Sequence, residues 1–330
     1  MNAPQTSLDA RAVAGRDWAL RCLGLPNGEF GAASADASFR RYFRLARLDA
    51  TASWVLMDAP PERENCEPFI RIAALLAQAG LNVPKVLHQD LAQGFLLLTD
   101  LGRQTYLHVI DENNADALFE DAIEALVKLQ LASKPGVLPP YDRALLEREL
   151  ALFPDWFVAK HLQRDFTPAQ VAAWSDVCAR LLESALAQPQ VYVHRDYMPR
   201  NLMRSEPNPG VLDFQDAVYG PVTYDVVCLF KDAFLSWPEA NVARWIARYR
   251  ARAAATGIPQ PKDFQRALDW MGLHRHLKVL GIFARIRHRD GKPQYLEDAP
   301  RFIRYVREVA VRYPELAPLL NLFDELGLRS

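Results

Sequence analysis

The chain has 330 residues, which is enough for one large domain or for two lobes around a cleft. Half of the residues are apolar and 24% are charged, an ordinary globular composition that excludes a disordered or fibrous chain. With 39 basic and 40 acidic residues the net charge is −1, so no basic excess favours a nucleic-acid or membrane partner.

The four cysteines lie far apart in the sequence, and none has the spacing of a disulfide framework or a metal site. The N-terminal residues lack the apolar segment of a secretory signal. No stretch approaches the roughly 20 apolar residues of a membrane span. These features predict a cytoplasmic protein without a membrane or an obligate protein partner.

The first hundred residues mix helical and strand patterns. Residues 8–24 have helical periodicity, and the segments 39–45 and 53–59 are rich in the aromatic and branched residues of strands. A helix is predicted over 66–79. The apolar run at 94–102 predicts a buried strand that leads into a turn. The strands and the helix over 66–79 together predict a small sheet with one helix.

After residue 102 helical periodicity dominates, interrupted once at 191–214 by two short strands with many polar residues. The pattern predicts an α+β fold with two lobes around a ligand-binding cleft. The N-terminal lobe, residues 1–100, is small and mainly β, and the C-terminal lobe, residues 101–330, is larger and helical. Helices are predicted over 115–132, 141–152, 168–187, 221–235, 239–255, 262–288 and 300–312.

The segment from His194 to Asn201 has the pattern HxDxxxxN and is followed, after a short hairpin, by Asp213 in the sequence VLDF. Phosphoryl transfer needs a carboxylate that orients the attacking hydroxyl and accepts its proton, for which Asp196 is the candidate. It also needs oxygen ligands for Mg²⁺, which Asn201 and Asp213 can supply. Each residue alone favours a polar surface loop, but the combination between two strands favours a kinase active site.

The triplet HRD occurs a second time, at 288–290. Five residues after Asp290 the chain has Tyr295 instead of an asparagine, and no strand with Asp-Phe follows. We interpret this second triplet as the solvated end of a helix.

The first motif resembles that of the aminoglycoside phosphotransferase family, which shares the protein-kinase-like fold, and the resemblance extends from about residue 30 to beyond residue 290. It implies that ATP and Mg²⁺ are the cofactors. Asp196 falls on the catalytic aspartate of the family, and Asp225 on an aspartate whose role is mainly structural. The family's metal ligands fall on Asn201 and Asp213, and the adenine-contacting hinge on Thr99, Asp100 and Leu101.

Longer segments, among them DASFRRYFRL, HRDYMPRNLM and LDFQDAVYGPVTYD, are most similar to the anomeric sugar kinases of bacterial cell-wall recycling within this family. The resemblance implies an amino-sugar substrate, N-acetylmuramate or N-acetylglucosamine, phosphorylated on its C1 hydroxyl. A kinase of aminoglycosides remains an alternative, although the many basic residues late in the chain suit an anionic sugar better than a polycation. A non-catalytic nucleotide-binding pseudokinase is the alternative from another class.

The chain departs from the kinase pattern at Met57, which stands where kinases of this fold carry a lysine that holds the ATP phosphates. Arginine binds phosphate through its planar fork, and three arginines follow the expected phosphate-covering turn. The turn lacks its usual glycines, and Ser38 can replace them. Arg200 can neutralise charge on the transferring phosphoryl group. The candidate ATP-contacting residues of this region are Ser38, Arg40, Arg41 and Arg44.

The residues that contact the substrate are predicted from the helix 262–288. Helical spacing places His274, Lys278 and Arg285 on one face with the small Gly281 among them, which suits the approach of a sugar. The alternative is a face exposed to solvent. With Asp216, three residues after the candidate metal ligand, the candidate substrate residues are Asp216, His274, Lys278 and Arg285.

Overall fold

The structure, a computed structural model, describes residues 9–35 and 39–329. Ser38, a candidate for the phosphate-covering turn, lies outside these residues. The chain divides into two compact units. The first contains the residues up to Val109 together with Arg200–Asp216, and the second contains Ile110–Pro199 together with the residues from Ala217 onward.

The first unit contains a five-stranded antiparallel sheet. Its strands are β1 (Glu29–Ala35), β2 (Arg41–Ala46), β3 (Ser53–Asp58), β4 (Val86–Asp90) and β5 (Phe95–Thr99). Their order across the sheet is β1-β2-β3-β5-β4, so that β3 is central and pairs with both β2 and β5. The predicted strands at 39–45, 53–59 and 94–102 are therefore confirmed, whereas β1 was not predicted.

Two main helices accompany this sheet, α1 (Ala10–Leu23) and α2 (Glu67–Gln78), and both were predicted. Helix α1 packs against β3, where a Cβ atom on Gly15 would lie 2.7 Å from a methyl carbon of Leu56. Trp18 of the same helix lies 5.8 Å from the ring of Phe95. The glycine therefore permits the close approach that buries the apolar face of α1 on the sheet.

The remainder of the first unit is short. It contains the helix α3 (Tyr106–Val109) and, in the second chain segment, a hairpin of the strands β7 (Leu202–Met203) and β8 (Gly210–Val211). The amide of Val211 donates a hydrogen bond of 2.7 Å to the carbonyl of Asn82. This contact fixes the hairpin to the chain between α2 and β4.

The second unit is helical, with one two-stranded antiparallel sheet formed by β6 (Gln190–Val193) and β9 (Val218–Pro221). Each helix predicted after residue 102 has a counterpart, and α11 is an addition. The helix predicted over 221–235 is shorter than expected, because Pro221 belongs to β9 and the helix ends at Phe230. The helices are α4 (Ala115–Leu131), α5 (Arg143–Leu152), α6 (Pro168–Leu186), α7 (Tyr224–Phe230), α8 (Glu239–Ala255), α9 (Phe264–Asp290), α10 (Ala299–Ala310) and α11 (Ala317–Glu325).

The core of this unit forms around α9, which packs on α5, α6, α7 and α10. A π-helical segment, Phe153–His161, continues α5 and also packs against α9. Gly281 makes this contact possible, because a Cβ atom there would lie 2.3 Å from the backbone of Leu152. The helix α9 ends at Asp290 with Gly291 in a left-handed conformation, which confirms that the second HRD triplet is a helix end.

The α+β class is confirmed by the antiparallel sheet of the first unit and the helices of the second. Among the residues that the structure describes, no helix has the length and apolarity that a membrane span requires.

Candidate active site

The two predicted metal ligands flank the β7–β8 hairpin. Asn201 directly precedes β7, and Asp213 follows β8 by one residue, so the antiparallel pairing of these strands brings them together. The amide of Leu212 donates a hydrogen bond of 2.9 Å to the carbonyl of Asn201. The side-chain amide of Asn201 lies 3.4 Å from a carboxylate oxygen of Asp213.

Asp213 has a left-handed backbone conformation, with φ of 63°. Such a conformation is uncommon for any residue other than glycine, although aspartate tolerates it better than most. It persists where the surroundings over-determine it, and strained residues of this kind cluster at functional sites. Here the side-chain amide of Gln215 donates a hydrogen bond of 2.8 Å to Asp213 Oδ1, which fixes the direction of the carboxylate.

The oxygens of Asn201 and Asp213 fit a magnesium ion. Mg²⁺ is usually bound by one or two carboxylates together with water and substrate phosphates, and not by a complete protein cage. In the described part of the chain no three His, Cys, Asp or Glu side chains are grouped closely enough to hold a metal ion. A metal held by this pair would therefore take its remaining ligands from phosphate and water.

Asp196 lies in the second unit, in the loop that follows β6. The buried carboxylate of Asp225, in the first turn of α7, accepts hydrogen bonds from the backbone amides of His194, at 2.6 Å, and Arg195, at 3.0 Å. Burial raises the pKa of Asp225 to about 7, against the opposing effect of these two hydrogen bonds. The structural role predicted for Asp225 is confirmed by these contacts.

The loop is also braced from within. The amide of Asp196 donates a hydrogen bond of 3.3 Å to Nδ1 of the buried His194, and its carbonyl accepts one of 3.0 Å from the amide of Met198. Arg195, the residue before Asp196, has a left-handed backbone conformation with φ of 78°. The half-buried Asp196 is therefore presented by a loop whose backbone is constrained on both sides.

Two of the predicted substrate residues, His274 and Lys278, are buried within the helical core. His274 Nε2 lies 3.1 Å from the carbonyl of Leu146, and burial lowers the pKa of its imidazole to about 4. Lys278 donates a hydrogen bond of 3.0 Å to the hydroxyl of Tyr224 and lies 2.8 Å from a carboxylate oxygen of Glu149. The alternative of a solvent-exposed face is wrong for both residues.

The other two substrate candidates are more accessible. Arg285 is half-buried on α9, and this burial lowers the pKa of its guanidinium. Asp216 is exposed at the end of the second segment of the first unit. Contact of any of these four residues with a sugar stays a prediction.

Two of the three arginines predicted to hold the ATP phosphates, Arg41 and Arg44, pair with carboxylates of the first unit. Arg41 forms ion pairs with Asp9 and Asp58. Arg44 forms a bidentate pair with Asp100, with distances of 2.6 and 3.0 Å, and also donates to the carbonyl of Gly102. The structure thus places Arg44 against the predicted hinge.

The hinge segment itself is well supported. The amide of Thr99 donates a hydrogen bond of 3.0 Å to the carbonyl of Lys85, and the hydroxyl of Ser53 donates one of 2.7 Å to Asp100. Leu101 is half-buried in the turn that follows β5. The pKa of Asp100 is lowered because the hydrogen bonds of Arg44 and Ser53 outweigh the effect of burial.

The remaining cofactor candidate, Arg40, and the candidate for charge neutralisation at the phosphoryl group, Arg200, both lie outside the strands of the first unit. Arg40 is half-buried immediately before β2, and Arg200 is half-buried in the 3₁₀ turn Pro199–Asn201. Met57, at the position of the usual lysine, is fully buried in β3. The roles proposed for Arg40 and Arg200 stay predictions.

Glu149 and Tyr141 contact the candidate catalytic loop through Arg195, but neither was predicted from the sequence. The guanidinium of Arg195 pairs with the carboxylate of Glu149, and Cζ of Arg195 lies 5.8 Å from the ring centre of Tyr141. One signal was present: Glu149 lies three residues after Leu146 on the apolar face of α5. A glutamate on such a face is expected to be buried with a partner.

The phosphotransferase enzyme family matches residues 29–267 of the chain. The chain belongs to this family. It is 60% identical, over 92% of its length and 89% of the relative's, to the N-acetylmuramate/N-acetylglucosamine kinase of Pseudomonas putida. It is 49% identical, over 89% of both chains, to the kinase of the same name from Neisseria meningitidis.

The fold is also that of a solved phosphotransferase. The streptomycin–ATP–APH(2″)-IIa ternary complex superposes with a TM-score of 0.61 at 16% identity and covers 94% of this chain and 98% of its own. The predicted aminoglycoside-phosphotransferase, protein-kinase-like fold is therefore confirmed. The prediction that the chain is a phosphotransferase enzyme is likewise confirmed by the family and by the kinases that it resembles.

Proposed function

We propose that this protein is an ATP-dependent sugar kinase that phosphorylates the C1 hydroxyl of N-acetylmuramate, N-acetylglucosamine or both, in the recycling of peptidoglycan. The observation that carries the substrate class is the 60% identity, over 92% of the chain, to an enzyme named for these two sugars. The proposed reaction, phosphoryl transfer, is supported by the candidate base Asp196 and the candidate metal ligands Asn201 and Asp213, because the reaction requires such groups.

In the proposed reaction the C1 oxygen of the sugar attacks the γ-phosphorus of ATP, the bond to the bridging oxygen breaks, and ADP leaves. The carboxylate of Asp196 orients the attacking hydroxyl and takes its proton. Asn201 and Asp213 would hold Mg²⁺, which neutralises charge on the ATP phosphates when bound. The left-handed backbone of Asp213 and its hydrogen bond from Gln215 support this role, since they fix the carboxylate before ATP arrives.

The nucleotide-binding residues are proposed from the hinge and from one arginine. Backbone groups of Thr99 to Leu101 would meet the adenine, in a segment that Arg44 holds through Asp100. Arg200 lies in the same turn as Asn201, and we propose that it stabilises charge on the transferring phosphoryl group. The pairing of Arg44 with Asp100 supports a role at the hinge in preference to the phosphates.

One observation favours a second function. The fully buried Met57 stands at the position of the strand lysine that usually holds the ATP phosphates. A chain without this lysine could bind a nucleotide without catalysing transfer, as a pseudokinase does.

We also propose a cytoplasmic location. The cytoplasm supplies the ATP that a kinase consumes, and its reducing conditions suit the four free cysteines.

The test is a screen of N-acetylated sugars and aminoglycosides with ATP and Mg²⁺, read by phosphorus NMR. We expect a sugar 1-phosphate. Phosphate on the 6-hydroxyl would contradict the anomeric assignment, and an aminoglycoside phosphate would contradict the substrate class. Binding of ATP with no turnover of any acceptor would favour the non-catalytic alternative.

A matched pair of variants tests the base. Asp196→Asn should lower kcat by at least about 100-fold, the usual contribution of a positioned general base, while ATP binding stays unchanged. Asp290→Asn, in the second HRD triplet at the end of α9, is the control and should leave kcat unchanged. Near-normal turnover by Asp196→Asn would remove this residue from the mechanism.

A further inference from the structure

Glu149 forms the centre of a buried polar network in the second unit. Its side chain is 6% exposed and accepts from three donors: the guanidinium of Arg195, the ammonium of Lys278 and the hydroxyl of Tyr141. Lys278 also donates to the hydroxyl of Tyr224, 3.0 Å away. A carboxylate buried with two cations and a hydroxyl has the partners that make such burial tolerable.

The charges of this network are fixed over the neutral pH range. Burial alone raises the pKa of Glu149, but the positive charges of Lys278 and Arg195, with His274 nearby, hold it at about 2. Glu149 in turn raises the pKa of Lys278 and of Arg195, against the effect of their burial. The network is therefore an anion between two cations, and neither cation titrates near neutral pH.

Arg195 connects this network to the proposed base, because it directly precedes Asp196 in the chain. Its φ of 78° lies in the left-handed region, where a side chain longer than that of aspartate or asparagine is rarely found. A residue keeps such a conformation when the structure around it leaves no alternative. The carboxylate of Asp225 holds the backbone amide of Arg195, and the carboxylate of Glu149 holds its side chain.

We propose that Glu149 is a positioning residue for the transfer reaction. By holding the guanidinium of Arg195, it keeps the backbone at Arg195 in its left-handed conformation and thereby sets the orientation of Asp196. Lys278 keeps Glu149 ionised and in place, a role different from the substrate contact predicted from helical spacing. The inference rests on the proposed function of Asp196.

The first test replaces the carboxylate. Glu149→Gln should lower kcat by roughly 10- to 100-fold with the KM for ATP changed by less than about 2-fold, since a misplaced base affects the chemical step and not nucleotide binding. Glu147→Gln is the matched control, because Glu147 lies on the same helix and is 52% exposed in a pair with Arg143. Its kcat should equal that of the wild type.

A double-mutant cycle separates positioning from general stability. Arg195→Met should lower kcat as Glu149→Gln does, and the double variant should be no slower than the slower single variant, because both changes break one interaction. Arg195→Gly removes the guanidinium and also the steric reason for strain at positive φ. In that background Glu149→Gln should change kcat by less than about 2-fold.

Three results would overturn the inference: a wild-type kcat for Glu149→Gln, a wild-type kcat for Arg195→Met, or losses that multiply in the double variant. If Glu149→Gln does not fold, Arg195→Met decides, because Glu149 keeps Lys278 and Tyr141 as partners in that variant. These failures are distinct from failure of the proposed function. That function would fail with a normal turnover by Asp196→Asn, whatever Glu149→Gln shows.

Discussion

Gly281 lies where α9 packs against Leu152 at the end of α5, and its substitution by alanine should destabilise the helical unit. A Cβ atom at this position would lie 2.3 Å from the carbonyl carbon and oxygen of Leu152 and 2.6 Å from its Cβ atom. The ordinary contact distance between carbon atoms is about 3.5–4.0 Å. The two segments would therefore have to move apart by more than about 1 Å, and no side-chain rotation can relieve a clash with backbone.

The magnitude follows from two opposing effects. Overpacking of a close-packed core costs about 1–3 kcal/mol, and a backbone clash belongs at the upper end of that range. Replacing a helical glycine by alanine gains about 1 kcal/mol. The net destabilisation of Gly281→Ala is then about 2 kcal/mol, which corresponds to a fall in Tm of about 5 °C for a unit of this size.

Gly272 supplies the control, since it lies on the same helix with its nearest neighbours, His276 and Val227, 3.8 Å from an added Cβ atom. At this distance an extra methyl group makes ordinary contacts, so Gly272→Ala should keep the gain in helix propensity and raise Tm by about 3 °C. Thermal unfolding of both variants by circular dichroism or calorimetry measures the difference. If Gly281→Ala is as stable as Gly272→Ala, the predicted clash with the backbone of Leu152 does not occur.

Two further outcomes are expected. Asp100→Asn weakens the bidentate pair that holds the hinge, so the KM for ATP should rise by about tenfold while kcat changes little. The kinetic control is Asp49→Asn, because Asp49 is exposed in the turn between β2 and β3. Equal KM values for the two variants would contradict the role of the Arg44–Asp100 pair. Burial raises the pKa of Asp232 to about 6 in the native state. The resulting stabilisation of the native state is complete below about pH 4, the pKa of an unfolded aspartate, and is lost as the pH rises through 6. The free energy of unfolding of the wild type, relative to Asp232→Asn, should therefore fall by about 3 kcal/mol between pH 4 and pH 7 in urea titrations, and a difference independent of pH would show that Asp232 titrates normally.

Features that depend on neighbours in the chain were predicted from the sequence. The amphipathic helices, the strands β2, β3 and β5, and the pair of Asn201 and Asp213 all follow from short-range patterns. The pair is local because one tight hairpin of two-residue strands brings its members together. The same local rules separated the second HRD triplet from the first, since the residues after Asp290 lack the asparagine and the strand.

Strand β1 shows where local patterns are insufficient. Its sequence EFGAASA contains glycine and alanine and no β-branched residue, so it has little intrinsic preference for a strand. It becomes a strand because β2 offers it a partner through backbone hydrogen bonds. The hydrogen bonds to β2 therefore stabilise a strand for which the composition of the segment has little preference.

From the sequence we predicted the α+β fold class and the phosphotransferase activity, which are confirmed, and the candidate residues Asp196, Asn201 and Asp213, which stay predictions. These residues could be proposed because their motif lies within a short stretch of chain. The partners of the long charged side chains, in contrast, depend on the tertiary structure. The partner of Arg195 is Glu149, 46 residues earlier in the sequence, and Lys278 faces the same carboxylate from another helix. A buried charge is stable only beside its counter-charge, and helical spacing gives the face on which a lysine lies but not the carboxylate that it meets.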